Sequence, residues 1–415
     1  MANYLSSLFA LIFTLSLYSQ EAMELSPPEY IKSVHFLQDD TILNGVPLIK
    51  LGDSFTVGFD DIIGDEAYYY YKISHYNFDW TKSLLNKNNY LNGIDDIRIS
   101  EDLNSLNTLQ RFTNYKVSIP NQNTQGLIVT GNYLFELYND NEELVFTKKF
   151  IVYDNSTTVE AQIKRSRDLS YLHEKQVVQF SIRSNEVIIA PERSLKTLVM
   201  QNSNLSTAIT SLKPQFIIGD TFTYKYDQEA SFFGGNEYWN LDSKDIRNAN
   251  SSINRIELQD IYHHYLFVHP YRALRPYTYN PDVNGNYVIR NIDATDSDIE
   301  ADYAWVHFQL DVQEIYDKEV HIYGNFNNYI TDHSTLIAFD PEAQAYRGKI
   351  LLKQGFHNFK YVTKNKDGKI DEGEISGNFD ETENEYVVLV YYRGPSDQYD
   401  RIIGAGSASS IDITN

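Results

Sequence analysis

Apolar and polar positions alternate with a period of two over much of the chain, and that period predicts strands. Around Tyr30 to Phe36, Ile31, Ser33 and His35 fall on one side and Lys32, Val34 and Phe36 on the other. Leu48, Leu51, Phe55, Val57 and Phe59 read as two strands about Gly52-Asp53. Asn132 to Asn139 and Leu144 to Tyr153 flank Asp140-Asn141 like the last hairpin of an immunoglobulin-like sandwich. Gln176 to Arg183, Leu195 to Gln201 and the aromatic stretch Ile256 to His269 continue the rhythm, with Pro191 and Pro214 marking turns. From Tyr303 it resumes strictly through Val306, Phe308, Leu310 and Val312, then in Val320 to Phe326, Tyr346 to Leu352, Asn358 to Val362 and Glu385 to Tyr392. Thr81 to Thr113, rich in Asn, Leu and Asp, reads as a long ordered crossover with short strands.

The expected fold is all-β, a multi-domain chain of immunoglobulin-like and early-set β-sandwiches. Its expected divisions are an N-terminal sandwich over 29–154, a middle β domain over 155–292, an acidic linker over 293–302, an early-set-like sandwich over 303–393 and a small-residue tail over 394–415. Composition strengthens that reading, because 33 Tyr and 22 Phe against 3 Met suit pleated, half-buried surfaces. No fixed-period repeat relates the domains.

A formal net charge of −22 disfavours nucleic acid and anionic membrane surfaces as partners. The apolar run Leu5 to Leu17, followed by Ser19, has the length of a signal-peptide core, so residues 1–19 are expected to direct export, although no Lys or Arg precedes the run. With no cysteine there is no disulfide, thiolate metal site or catalytic thiol. That absence suits a bacterial envelope better than a eukaryotic surface. No later apolar run reaches membrane-spanning length, so no direct membrane insertion is expected.

Few segments offer chemistry. Thr363 to Glu374 spaces its oxygens like a calcium loop but starts on Thr between strands, and an Asn-Lys-Asp-Gly hairpin tip accounts for the same letters. His263 and His264 are adjacent, so on a strand they point to opposite faces and cannot chelate together. Gly324 to Tyr329 resembles the early-set sandwiches that accompany starch-acting enzymes, with Tyr329 where a sugar-stacking Trp is expected. Gly234-Gly235-Asn236-Glu237 suggests positive φ or close packing, with the two polar side chains bonding main-chain groups. No catalytic, cofactor-binding or metal-ligating residue is assigned.

Several segments together resemble one family, the plug protein of the type IX secretion system of Bacteroidetes. They are Tyr70 to Trp80 with His75, Asp79 and Trp80, then Gly131-Asn132-Tyr133, Gln201-Asn202, Gly234 to Tyr238 with Gly235, Asn236 and Glu237, Asp282 to Gly285, and Asp302-Tyr303. Tyr76 and Trp239 stand where relatives often carry Cys and Arg. The resemblance implies a non-enzymatic periplasmic protein, at the inner face of the outer membrane, that binds an outer-membrane β-barrel translocon protein and closes its periplasmic mouth. The motif residues are expected to be structural. An exported glycan-binding sandwich protein is the alternative, and an enzyme with an unrecognised carboxylate pair is a third.

Overall fold

The computed structural model describes residues 23–210 and 212–414, so the expected export signal over 1–19 lies outside the described residues. The chain forms an all-β, multi-domain array of sandwiches. In the first sandwich one sheet orders Thr41–Ile42, Ile31–Gln38, Phe55–Asp61, Thr113–Ile119 and Glu101–Asn104, and the other Leu48–Lys50, Leu144–Tyr153, Gly131–Asn139, Tyr69–Tyr76 and Ile97–Arg98. Residues 132–139 of the strand Gly131–Asn139 pair with the whole of Tyr69–Tyr76, which also pairs with Ile97–Arg98, so the tyrosine-rich run is an interior strand. Its alternate residues Tyr69, Tyr71 and Ile73 enter the core among Phe36, Phe59 and Phe135. The 140–141 turn closes the expected hairpin, and 81–113 is a crossover holding one helical turn and short strands.

The second sandwich departs from the expected divisions. One of its sheets runs Thr157–Arg165, Lys175–Ser184, Thr221–Tyr224, Phe216–Ile218, with Ser231–Phe233 also on Lys175–Ser184. The other runs Leu195–Gln201, Glu385–Tyr392, Arg401–Ser409, so strands assigned by sequence to the C-terminal sandwich and to the tail close the middle domain instead. Tyr386, Val388 and Val390 bury among Ile163, Val178 and Phe180. Alternation marks a strand but does not choose its neighbour. The small residues of the expected tail serve close approach: a Cβ on Gly406 would lie 2.5 Å from the carbonyl oxygen of Val159, and one on Gly404 2.9 Å from that of Thr157.

The third sandwich is a sheet of 11 strands curled around one core. Its strands run in sequence from Trp239–Asp242 to Ile370–Asp371, starting well before residue 303. The acidic stretch 293–302 is not a solvated linker. Its Ser297–Glu300 makes one helical turn, Asp298 pairs with Lys116 at 2.5 Å, and buried Asp302 accepts from the amides of Leu109 at 2.7 Å and Gln110 at 3.0 Å. Carboxylates that find unsatisfied N–H groups and a lysine dock where a composition rule expects solvent.

Candidate functional site

The family-motif residues divide between the seams that join the sandwiches. At the seam of the first and second, strand Tyr69–Tyr76 runs into a tight turn. Its His75 is buried, with Nε2 at 3.2 Å from the Thr130 carbonyl and the ring edge-on to Tyr133 and Tyr399, ring centres 4.9 and 5.3 Å apart. Burial lowers its pKa to about 4, so the ring is neutral. Gly131, at φ +148°, makes room, because a Cβ there would come within 2.3 Å of Nε2. Asp79 accepts from the Thr81 amide at 3.1 Å and hydroxyl at 2.6 Å, and these bonds hold its carboxyl below the usual range despite partial burial. The turn presents Trp80 at φ +58° to a core in which Tyr76, Leu134 and Ile151 of the first sandwich meet Leu198, Met200, Leu389 and Tyr391 of the second. Phe78 packs edge-on to Tyr391 at 4.8 Å, and its amide donates to Asp400, which also takes Lys196 at 3.0 Å.

Gly234 to Glu237 occupies the seam of the second and third sandwiches. Gly234 admits no side chain, since a Cβ would lie 1.9 Å from the Phe379 carbonyl oxygen, and Gly235 sits at φ +68°. The Gly235 carbonyl accepts from the Phe379 amide and the Thr382 hydroxyl, both at 2.9 Å, and that of Gly234 from the Asn384 amide group at 2.8 Å. Asn236 donates to the Ser376 carbonyl at 2.6 Å, while Glu237 accepts from the Tyr277 hydroxyl and, at 3.3 Å, from the Glu383 amide. Burial and the nearby Asp282 carboxylate push the Glu237 carboxyl up to about 7. Asp282 in turn accepts from the Tyr238 amide at 2.6 Å.

The seam of the first and third sandwiches mixes apolar contacts, Ile42 entering the third core and Phe112 lying edge-on to Tyr303 at 5.5 Å, with a buried polar network. Buried Asp60 receives the Lys353 ammonium and the Tyr303 hydroxyl, each at 2.6 Å, and the Asn114 amide at 2.7 Å. Lys353 also donates to the Asp298 carbonyl at 2.6 Å. Nearby, Asn325 exchanges bonds with Gly45 and Leu43, each at 3.1 Å, and Asn286 donates to the Ile42 carbonyl at 2.8 Å. Sequence reading singled out Tyr303 here, placed Asn325 only in the glycan-binding candidate 324–329, and missed Asp60 and Lys353. A lysine closing the strand 345–353 and an aspartate pair closing 55–61 read as strand ends, and nothing local announces that they meet.

The weaker candidates resolve locally. Asn365 accepts from the amides of Asp367 at 3.0 Å and Lys369 at 2.8 Å, so the calcium-like letters make a hairpin turn, and Glu374 engages Lys318 and the Thr363 hydroxyl. Among the described residues no three His, Cys, Asp or Glu side chains cluster to hold a metal. His263 and His264 do face opposite ways: His264 is buried against the Ile246 carbonyl, whereas His263 meets His307 of a neighbouring strand, nitrogens 2.8 Å apart. Tyr329 offers no open stacking platform, because its hydroxyl donates to Asn44 at 2.8 Å and its ring packs on Tyr323.

Comparison with known proteins agrees with this architecture. Over 94% of its length, and 100% of the other chain, the protein is similar to a hypothetical protein from Parabacteroides merdae ATCC 43184, known as a crystal structure, with 29% identity and a TM-score of 0.89. A biofilm associated protein BSP domain, at 8% identity over 94% of this chain and 60% of that one, has a TM-score of 0.15 and carries no argument. No curated protein matches. Residues 31–154, which bound the first sandwich and contain His75, Asp79 and Trp80, match the family model described as type 9 secretion system plug protein 1st domain. That match is to the first domain of the type 9 secretion system plug protein, and it ties the chain to type IX secretion.

Proposed function

We propose that this protein is a non-enzymatic periplasmic plug that binds and closes the periplasmic mouth of the giant outer-membrane β-barrel translocon of type IX secretion. The match of residues 31–154 to the plug family carries the reading. The seams support it: a body that stoppers a wide pore must keep its shape, and residues such as Trp80, Asn236 and Tyr303 lie in buried contacts between sandwiches. No helix among the described residues is long and apolar enough to cross a membrane, which accords with a body that meets the barrel from outside the bilayer. The glycan-binding alternative loses its main support with the engagement of Tyr329.

Affinity recovery of the tagged protein from detergent-solubilised envelope tests the reading, with co-purification of a very large outer-membrane barrel as the expected result. Deletion should make cells more permeable to bulky antibiotics, and unchanged uptake would count against a plug.

A further inference from the structure

Gly234 and Gly235 differ in what they face at the seam of the second and third sandwiches. A Cβ on Gly234 would strike the Phe379 carbonyl, whereas one on Gly235 would meet, apart from its chain neighbours, only the Lys360 ammonium within 4 Å, at 3.2 Å. Gly235 opens on a cavity of about 570 Å³, whose wall also holds Phe233, Tyr238, Lys360, Glu372 and the exposed Lys369. Strand Gly355–Asn365 carries Lys360, and its neighbours Phe359 and Tyr361 turn into the third core, so the lysine is directed at the seam. Its side chain is only 3% exposed and lies with Nζ 4.0 Å above the Tyr238 ring. Glu372, the acid paired with it, stands 3.7 Å from Nζ, beyond hydrogen-bonding distance, and the ammonium makes no hydrogen bond. Nζ still keeps some accessible surface, unlike sealed partnerless atoms such as Ser376 Oγ, so its unused donors open on the cavity. The Gly235 amide, in the same wall, also donates to no acceptor.

Donors therefore outnumber acceptors in this wall. An ammonium has three N–H bonds to place and accepts none. Burial lowers the Lys360 pKa, and the carboxylates of Glu372, Asp282 and Glu237 do not make up the loss against burial and the Arg272 charge, so the cation is undercompensated where it lies. A water would take one bond without supplying charge, and the cavity is many times the roughly 30 Å³ that a water occupies. An acceptor that brings its own negative charge meets both needs, and a carboxylate does so with a single charge. A phosphate dianion would set its second charge against Glu372. Phe233, 45% exposed, offers apolar surface to the rest of such a ligand.

We propose that the cavity between the second and third sandwiches binds a small organic monocarboxylate, its carboxylate held by the Lys360 ammonium and the Gly235 amide and its body lying toward Phe233. This goes beyond the plug reading and stands or falls without it. Calorimetric titration of the full-length protein with benzoate and with glucuronate tests it, against benzamide, glucose and inorganic phosphate as controls. The expected result is saturable binding of at least one carboxylate, weakened roughly tenfold or more by Lys360→Met in a variant shown to melt cooperatively. Benzoate alone assigns an apolar body to the ligand and glucuronate alone a hydroxylated one, and either sustains the site. No binding of either carboxylate at millimolar concentration, equal binding of the neutral controls, binding of phosphate alone, or an affinity that Lys360→Met leaves unchanged overturns it. Where Lys360→Met fails to fold, Lys369→Glu at the exposed position should weaken binding several-fold, and crystals of the parent grown with para-bromobenzoate should place its carboxylate against Lys360 Nζ. A bromine peak elsewhere, or none, then overturns the proposal.

Discussion

The first sandwich makes two seams with different balances of apolar packing and buried polar bonds. Toward the second sandwich it offers Tyr76, Trp80, Leu134 and Ile151, and the partner replies with Leu198, Met200, Leu389 and Tyr391, so most of that contact is apolar area removed from water. Toward the third it offers Asp60, Ser33 and main-chain groups of residues 42–45, met by Lys353, Tyr303, Asn286 and Asn325. An apolar seam tolerates a change in shape in proportion to the volume lost. A buried polar seam is all or nothing, since each unpaired group bears its full desolvation penalty. The same protein therefore combines an adaptable joint with one whose geometry is tightly specified.

The sharpest way to break the contrast is Asp60→Asn, which strands the Lys353 ammonium in the seam and should destabilise the protein by about 3–5 kcal/mol in chemical denaturation. Asp60→Asn combined with Lys353→Met should recover much of that loss. A double variant no better than the single would show that packing, not charge, dominates there. Trp80→Ala in the apolar seam should cost about 3 kcal/mol through cavity formation, with no comparable rescue by a second substitution.

Acid should act on both seams. His75 and His357 have pKa values lowered to about 4 by burial, below the unfolded value near 6.5. The unfolded chain binds more protons between those values, so the contribution is complete above pH 6.5 and is lost as pH falls toward 4, roughly 3 kcal/mol for each ring. Glu237 runs the other way. Its carboxyl, raised to about 7, contributes most below its unfolded value and loses that contribution as pH rises through 7. Melting temperatures of His75→Phe and Glu237→Gln across pH 4 to 8 should flatten the acid and neutral limbs respectively, and an unchanged profile in either would deny that group its titration. The smallest effect expected is for Asp79→Ala, about 1 kcal/mol from the lost bonds to Thr81 at the rim of the apolar seam.

Much of the first sandwich was legible because its information is local: alternation in Tyr69–Tyr76 and the Asp140-Asn141 turn specify a strand and a hairpin without reference to distant residues. The glycines of 234–235 were likewise readable as close-packing positions, though not what they pack against. The expected division at 293–302 failed because the third sandwich already begins at Trp239–Asp242 and Asp298 and Asp302 dock on the first, and the expected boundary at 393 failed because Glu385–Tyr392 and Arg401–Ser409 return to lie beside Leu195–Gln201. A composition of Gly, Ala and Ser looks alike in a loose tail and in a strand pressed against a neighbouring sheet.

By itself the sequence determined the all-β class, many of the strands and turns, and the resemblance of its first domain to the type IX secretion plug family, because strand periodicity and turn chemistry are properties of short segments. The tertiary structure alone decided that the family-motif residues lie at seams, that Asp60 meets Lys353 from 293 residues away, and that Gly235 and Lys360 line one cavity. Charge pairing and complementary burial depend on which surfaces meet in space, and chain order does not encode that proximity locally.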